Sequence, residues 1–277
     1  MQHESAITQS IEVGGTKYAY RIFGKETGVP LVFLHHFTAT IDDWDPQVTN
    51  GLAQHFKVVL LDNKGIGASE GQTPDNVKGM ADDATSVIRA LGFSKVNLLG
   101  FSLGGFVAQQ IALDSPELVN KLVLAATSPK GGEGIANLPN IMNEAFATAP
   151  EDPRLFLFYS KSPESIALGR QSLTRIKQRK ENRVPPTSMP SIQAQVKSIL
   201  GWAAENKNVS DELSRIKQPS LVVNGNNDIM FPTINSYTLF QHLPSAKLSL
   251  YSDSGHGAIY QYADRFVQEV VDFLETV

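Results

Sequence analysis

Short runs of apolar residues recur along the chain and alternate with stretches in which apolar residues return at helical spacing. LVFL, VVLL, VNLLGF and SLVVN have the character of strands buried on both faces, which arises where helices cover both sides of a parallel sheet. The pattern predicts strands at 30–34, 58–62, 97–101, 122–126, 220–224 and 247–251. Two further strands, 10–13 and 17–23, flank Gly14-Gly15 and form a β-hairpin at the sheet edge. Helices are predicted at 47–55, 76–91, 103–115, 233–242 and 262–276. In the last of these, Phe266, Val270, Val271 and Leu274 share one face. The alternation stops after Ala126. Across 129–209 no strand is evident, and helical patterns near 135–149, 153–160, 163–180 and 190–206 are punctuated by prolines. Strand–helix alternation implies an α/β fold with a mostly parallel eight-stranded sheet and helices on both faces. The strand-free block is an insertion, which divides the chain into a core of 1–128 with 210–277 and a helical unit of 129–209.

Composition narrows the chemistry. The 277 residues include 24 basic and 28 acidic side chains, a net charge of −4, unlike the basic profile of nucleic-acid binders. No apolar run approaches the roughly 20 residues of a spanning helix, so no membrane partner is expected. The first ten residues, MQHESAITQS, have neither a basic nor an apolar signal region, and the expected compartment is cytoplasmic. The absence of cysteine excludes disulfides, thiol nucleophiles and thiolate metal sites.

The strongest local signal is Gly100-Phe101-Ser102-Leu103-Gly104, set between a strand pattern and a helical one. A serine on such a sharp turn is held out of the sheet edge, with small neighbours where strand and helix meet. A serine hydroxyl needs a base. Of six histidines, His256 lies in Ser254-Gly255-His256-Gly257 after the last strand, at the same carboxyl edge of the sheet. Asp228 follows strand 220–224 in NGNND and gives the chain order Ser, Asp, His. A turn or helix-cap aspartate is the alternative reading there. Asp253 is the nearest competitor for the acid. An oxyanion requires two converging donors, for which the N–H groups of Leu103 and Phe37 are placed after strands 97–101 and 30–34.

These segments resemble the α/β-hydrolase family across essentially the whole chain. Asp62-Asn63-Lys64-Gly65-Ile66-Gly67-Ala68-Ser69 is similar to the family's D-x-R-G-x-G-x-S. Gly225-Asn226-Asn227-Asp228 with Pro232 is similar to its acid-bearing turn, and Gly255-His256 to its histidine segment. The resemblance is greatest to the branch of cofactor-free haloperoxidases, small esterases and enol-lactone hydrolases. Two positions depart from the pattern: His36 replaces the usual glycine before the oxyanion donor, and Lys64 replaces the usual arginine. The resemblance implies a serine hydrolase acting on a small, mainly apolar ester with no cofactor and no metal. Its alternatives are a perhydrolase, an enol-lactone or C–C bond hydrolase, and a non-catalytic ligand receptor on the same fold. It also implies that 129–209 caps the active site. Candidate pocket residues are His36, Trp44, Met142, Phe146, Tyr159 and Trp202. The basic run 175–183 is either an anion-attracting face or a solvated one.

Overall fold

A computed structural model describes residues 2–276; the expected termini of the core, Met1 and Val277, lie outside the described residues. The eight expected strands are β1 (Gln9–Val13), β2 (Thr16–Gly24), β3 (Leu31–Leu34), β4 (Lys57–Leu61), β5 (Val96–Phe101), β6 (Val119–Ala125), β7 (Ser220–Gly225) and β8 (Ala246–Tyr251). They form one sheet in the order β1-β2-β4-β3-β5-β6-β7-β8. Gly14 and Gly15, at φ 57° and 76°, supply the two left-handed residues of a tight hairpin turn that closes on the Val13–Thr16 pair. β2 runs antiparallel to β4, and every pair from β4 to β8 is parallel. All four residues of β3 and all six of β5 are buried, as their unbroken apolar runs require.

From β3 the chain crosses to β4 on one side, whereas β5 leads to β6 on the other. A crevice opens beyond the carboxyl ends of the strands where winding reverses, and ligands bind there in open α/β sheets. Helix α1 (Pro46–Ala53) packs with α11 (Ala263–Glu275), and α2 (Val77–Ala90) packs with α3 (Leu103–Asp114), so both faces of the sheet are covered. Asp62, just past β4, ties the neighbouring loops together. Its buried carboxylate accepts from Ile41 N at 2.8 Å and Ala68 N at 3.1 Å. Burial pushes its pKa up to about 7.

No strand occurs between β6 and β7. After a 3₁₀ turn, that stretch holds α4 (Leu138–Thr148), α5 (Arg154–Phe158), α6 (Pro163–Ile176), α7 (Met189–Trp202) and α8 (Val209–Ser214). Two arginines of the basic run, Arg175 and Arg179, staple this block to the core, while Lys177, Lys180 and Arg183 stay exposed. Arg175 forks onto the buried Asp45, with Nε–Oδ1 at 2.9 Å and a second guanidinium nitrogen 2.6 Å from Oδ2. Asp45 also caps α1. Arg179 donates to the carbonyls of His3, Glu4 and Ala6, while Val184 N donates to Asp42 Oδ2 at 2.7 Å. Asp42 in turn pairs with Arg21 at 2.7 Å, both side chains fully buried. A buried charge of this kind is tolerable only when paired. Among the described residues, no helix is long and apolar enough to cross a membrane. Beyond β7, α9 (Thr233–His242) covers β7 and β8. The short α10 (Ala258–Gln261), which the sequence pattern did not predict, follows β8.

Candidate active site

Ser102 stands between β5 and α3 with φ 58° and ψ −119°, a backbone conformation that non-glycine residues seldom adopt. It persists because its surroundings fix it. Ser102 N donates to Ala125 O at 2.9 Å, and Thr127 Oγ1 donates to Ser102 O at 2.8 Å. The turn also demands glycine next door. A Cβ on Gly104 would lie 1.9 Å from Leu34 O, and one on Gly100 would lie 2.4 Å from Gly104 O. Thus α3 starts in direct contact with β3, and the serine is held at the crevice.

His256 follows β8, and its loop is stitched to α5: His256 N donates to Leu157 O at 3.3 Å and Gly257 N to Phe158 O at 2.8 Å. The imidazole is buried among Phe101, Phe158 and Phe231, with ring centroids 5.2–5.5 Å away. Its Nδ1 lies 2.8 Å from Asp228 Oδ2. The other oxygen of Asp228 accepts from Met230 N at 2.8 Å and Phe231 N at 3.0 Å, so the carboxylate is locked by its own turn. A carboxylate accepts, so Nδ1 carries the proton and Nε2 keeps a lone pair. That Nε2 is buried and has no hydrogen-bond partner among the described residues. Asp253 is occupied elsewhere. It accepts from the hydroxyls of Ser160 and Ser162 and braces the start of α6.

Ser102 and His256 line one cavity of about 240 Å³. Among the described residues no hydrogen bond joins the two; unliganded sites often leave such contacts long. Phe37 lines the same cavity, while Leu103 opens α3 beside Ser102 with its side chain buried. Neither backbone N–H has a partner among the described residues. His36 also lines the cavity. Its Nδ1 lies 2.9 Å from Phe37 O and must donate to it, and its ring packs edge-on against Phe101 and Phe158. Burial, reinforced by nearby Arg154, holds its pKa well below the usual histidine range.

Met142 and Phe146 of α4 form part of the apolar wall with Leu157 and Phe158 of α5. The other three aromatic candidates lie outside it. Trp44 is buried edge-on against Phe33, 4.9 Å between centroids. Trp202 stacks on Phe106 at 5.1 Å and points its indole N–H at Ser128 O. Tyr159 is buried with its hydroxyl donating to Ser172 Oγ at 2.9 Å. These large rings gain more from full burial in the core than from a partly wet pocket wall.

Thr38, Asp43, Asp152 and Arg154 form a polar wall of the cavity, together with Met230, none of them among the residues expected from the sequence. Arg154 is forked onto Asp152, both contacts 2.9 Å, and reaches Asp43 at 3.4 Å. Met230 had a local signal, since it lies two residues past Asp228; in the structure its N–H donates to that carboxylate. The 152–154 segment had none, because periodicity does not tell which end of an inserted helix faces the core.

Residues 29–262 match the family described as "alpha/beta hydrolase fold". The structure superposes on an alpha/beta hydrolase fold protein from Chitinophaga pinensis with a TM-score of 0.96. The two are 40% identical, and all of each chain is covered. A pimeloyl-[acyl-carrier protein] methyl ester esterase from Nitrosomonas europaea is 29% identical, covering 87% of this chain and 93% of that one. A putative carbamate hydrolase from Rhizobium rhizogenes is also 29% identical, covering 83% of this chain and 87% of its own length.

Proposed function

The chain belongs to the α/β-hydrolase family, and from that premise we propose that it cleaves carboxylic esters or related acyl bonds of small, mainly apolar substrates through a Ser102 acyl-enzyme. One observation carries the reading. His256 is anchored through Nδ1 to Asp228 at 2.8 Å, which leaves a buried, unpartnered Nε2 on the cavity that Ser102 also lines. An orphaned buried acceptor is costly unless it has work to do. Here it takes the proton of Ser102 as the hydroxyl attacks the substrate carbonyl, then returns it to the leaving group. Asp228 keeps the proton on Nδ1 and stabilises the imidazolium that forms. The N–H groups of Phe37 and Leu103 receive the tetrahedral oxyanion. Water repeats the sequence on the acyl-enzyme and releases the acid.

The cavity supports a small substrate. At about 240 Å³, with Met142, Phe146, Leu157 and Phe158 on one side, it suits a short acyl or alkyl group more than a long chain. Residues 129–209 serve as the cap, since α4 and α5 supply that wall. The names of the two curated relatives both describe cleavage at a carbonyl, one at an ester and one at a carbamate, which is compatible with this chemistry.

The test is hydrolysis of p-nitrophenyl esters of graded acyl length by wild type and Ser102→Ala. The expected result is Ser102-dependent turnover with an optimum at short acyl chains. Turnover by the alanine variant at the wild-type rate would contradict the proposal.

A further inference from the structure

The turn that carries the Phe37 donor is held from outside the core. Ala39 N donates to His36 O at 3.1 Å, closing a four-residue turn over 36–39. Thr38, its third residue, has φ 66°, while Phe37 keeps a negative φ. A positive φ at that position alone defines a type II turn, which normally places glycine or asparagine there. A β-branched threonine is strained in that conformation. The competing type I turn differs by reversal of the peptide between Phe37 and Thr38.

Both ends of that peptide are gripped. Its carbonyl, Phe37 O, accepts from His36 Nδ1 at 2.9 Å. Its N–H, on Thr38, donates to Gln195 Oε1 at 2.9 Å. The next carbonyl, Thr38 O, accepts from Thr187 Oγ1 at 2.8 Å. Gln195 lies on α7 and is only 1% exposed, and Thr187 lies just before that helix. Two side chains of the inserted block therefore hold Thr38 in a conformation that its own sequence disfavours.

We propose that Gln195, assisted by Thr187, is a positioning residue for the oxyanion hole: the α7 segment must be docked on Thr38 for the Phe37 N–H to meet the developing oxyanion. The inference rests on the Ser102 mechanism above. It makes the inserted block part of the catalytic geometry as well as a wall around the substrate. His36 gains a place in the same device, because its Nδ1–H secures the other end of the reversible peptide. Nothing is transferred to or from Gln195; it acts only through the backbone.

Gln195→Leu removes the acceptor at similar size, while Gln195→Glu keeps an acceptor oxygen at the same reach. The readouts are kcat and KM for a p-nitrophenyl ester, inhibition by an alkylboronic acid that forms a tetrahedral adduct with the serine, and inhibition by the product carboxylate. Removal of one oxyanion donor costs about 10²–10³ in kcat, and a misaligned donor costs part of that. Gln195→Leu is expected to lose roughly 10- to 100-fold in kcat, with KM within about twofold. Boronate affinity should fall in parallel while carboxylate affinity holds, and Gln195→Glu should restore most of the rate. Wild-type kcat in Gln195→Leu would overturn the proposal, as would a loss shared by both inhibitors and not restored by Gln195→Glu. If Gln195→Leu does not fold, Thr187→Val beside Thr187→Ser provides the same comparison, with the loss confined to Val and to kcat. Absence of Ser102-dependent turnover in wild type would instead contradict the serine mechanism itself.

Discussion

Replacing Asp228 by asparagine tests the assignment of the orienting acid with little change of shape. The structure dictates how the amide must sit. Oδ1 accepts from Met230 N and Phe231 N, two donors that only the amide oxygen can satisfy. The amide NH₂ is thereby turned toward His256 Nδ1, in place of the oxygen now 2.8 Å away. Nδ1 must then accept, the ring proton moves to Nε2, and the lone pair that should take the Ser102 proton is lost. Enforcing the wrong tautomer in a serine protease triad lowers kcat by about 10⁴, which is about 5 kcal/mol of barrier. We expect Asp228→Asn to lose about 10³–10⁴ in kcat/KM on a short p-nitrophenyl ester. Its stability should change by less than about 1 kcal/mol, since both backbone donors keep their partner. Steady-state kinetics beside urea unfolding measures the two separately. Activity within tenfold of wild type, with His256 and Ser102 intact, would refute the reasoning. Asp253→Asn is the matched control and should leave kcat unchanged, because that carboxylate serves Ser160 and Ser162 at the start of α6.

Two further predictions concern stability. Arg175→Ala strands the carboxylate of Asp45, which is fully buried while Arg175 is about a quarter exposed. The loss should reach about 2–3 kcal/mol, below the 3–5 expected for a completely buried pair, and a urea midpoint equal to wild type would exclude the stapling role. His35 is buried with neither ring nitrogen hydrogen-bonded among the described residues, and burial lowers its pKa from 6.5 to about 4. The folded protein therefore keeps it neutral while the unfolded chain takes up a proton below pH 6.5, so its contribution is complete above 6.5 and lost as pH falls toward 4. His3, lowered to about 3, acts in the same direction, whereas Asp62, raised to about 7, makes stability fall as pH rises from about 4 to 7. Between pH 7.5 and 4.5, His35→Leu should lose roughly 2–3 kcal/mol less stability than wild type; identical pH dependence in urea unfolding would contradict this.

Much of the fold was legible because the sheet is buried on both sides. Unbroken apolar runs such as LVFL admit few alternatives, and α9 fills the same span in pattern and structure. Edges blurred where polarity intrudes: β6 begins three residues before its predicted start, because Asn120 and Lys121 interrupt the apolar run. The short α10, AIYQ, is too brief for any period to register. At the site, Ser102, Asp228 and His256 were legible as candidates because each follows a strand and so reaches the same sheet edge. The pocket was less so. Trp44, Tyr159 and Trp202 are apolar enough for either wall or core, and only packing decides between them. Arg154 with Asp152 and Asp43, and Gln195 against Thr38, arise from how the inserted helices dock. Helical periodicity gives each helix a buried face without naming what that face meets.

The most direct test of the account is mass spectrometry of the intact protein, rapidly quenched during turnover of a p-nitrophenyl ester, followed by peptide mapping. The expected result is a transient adduct of one acyl group on the peptide containing Ser102, absent from Ser102→Ala. Sustained turnover with no adduct at any quench time, or an adduct on another residue that persists in Ser102→Ala, would contradict it.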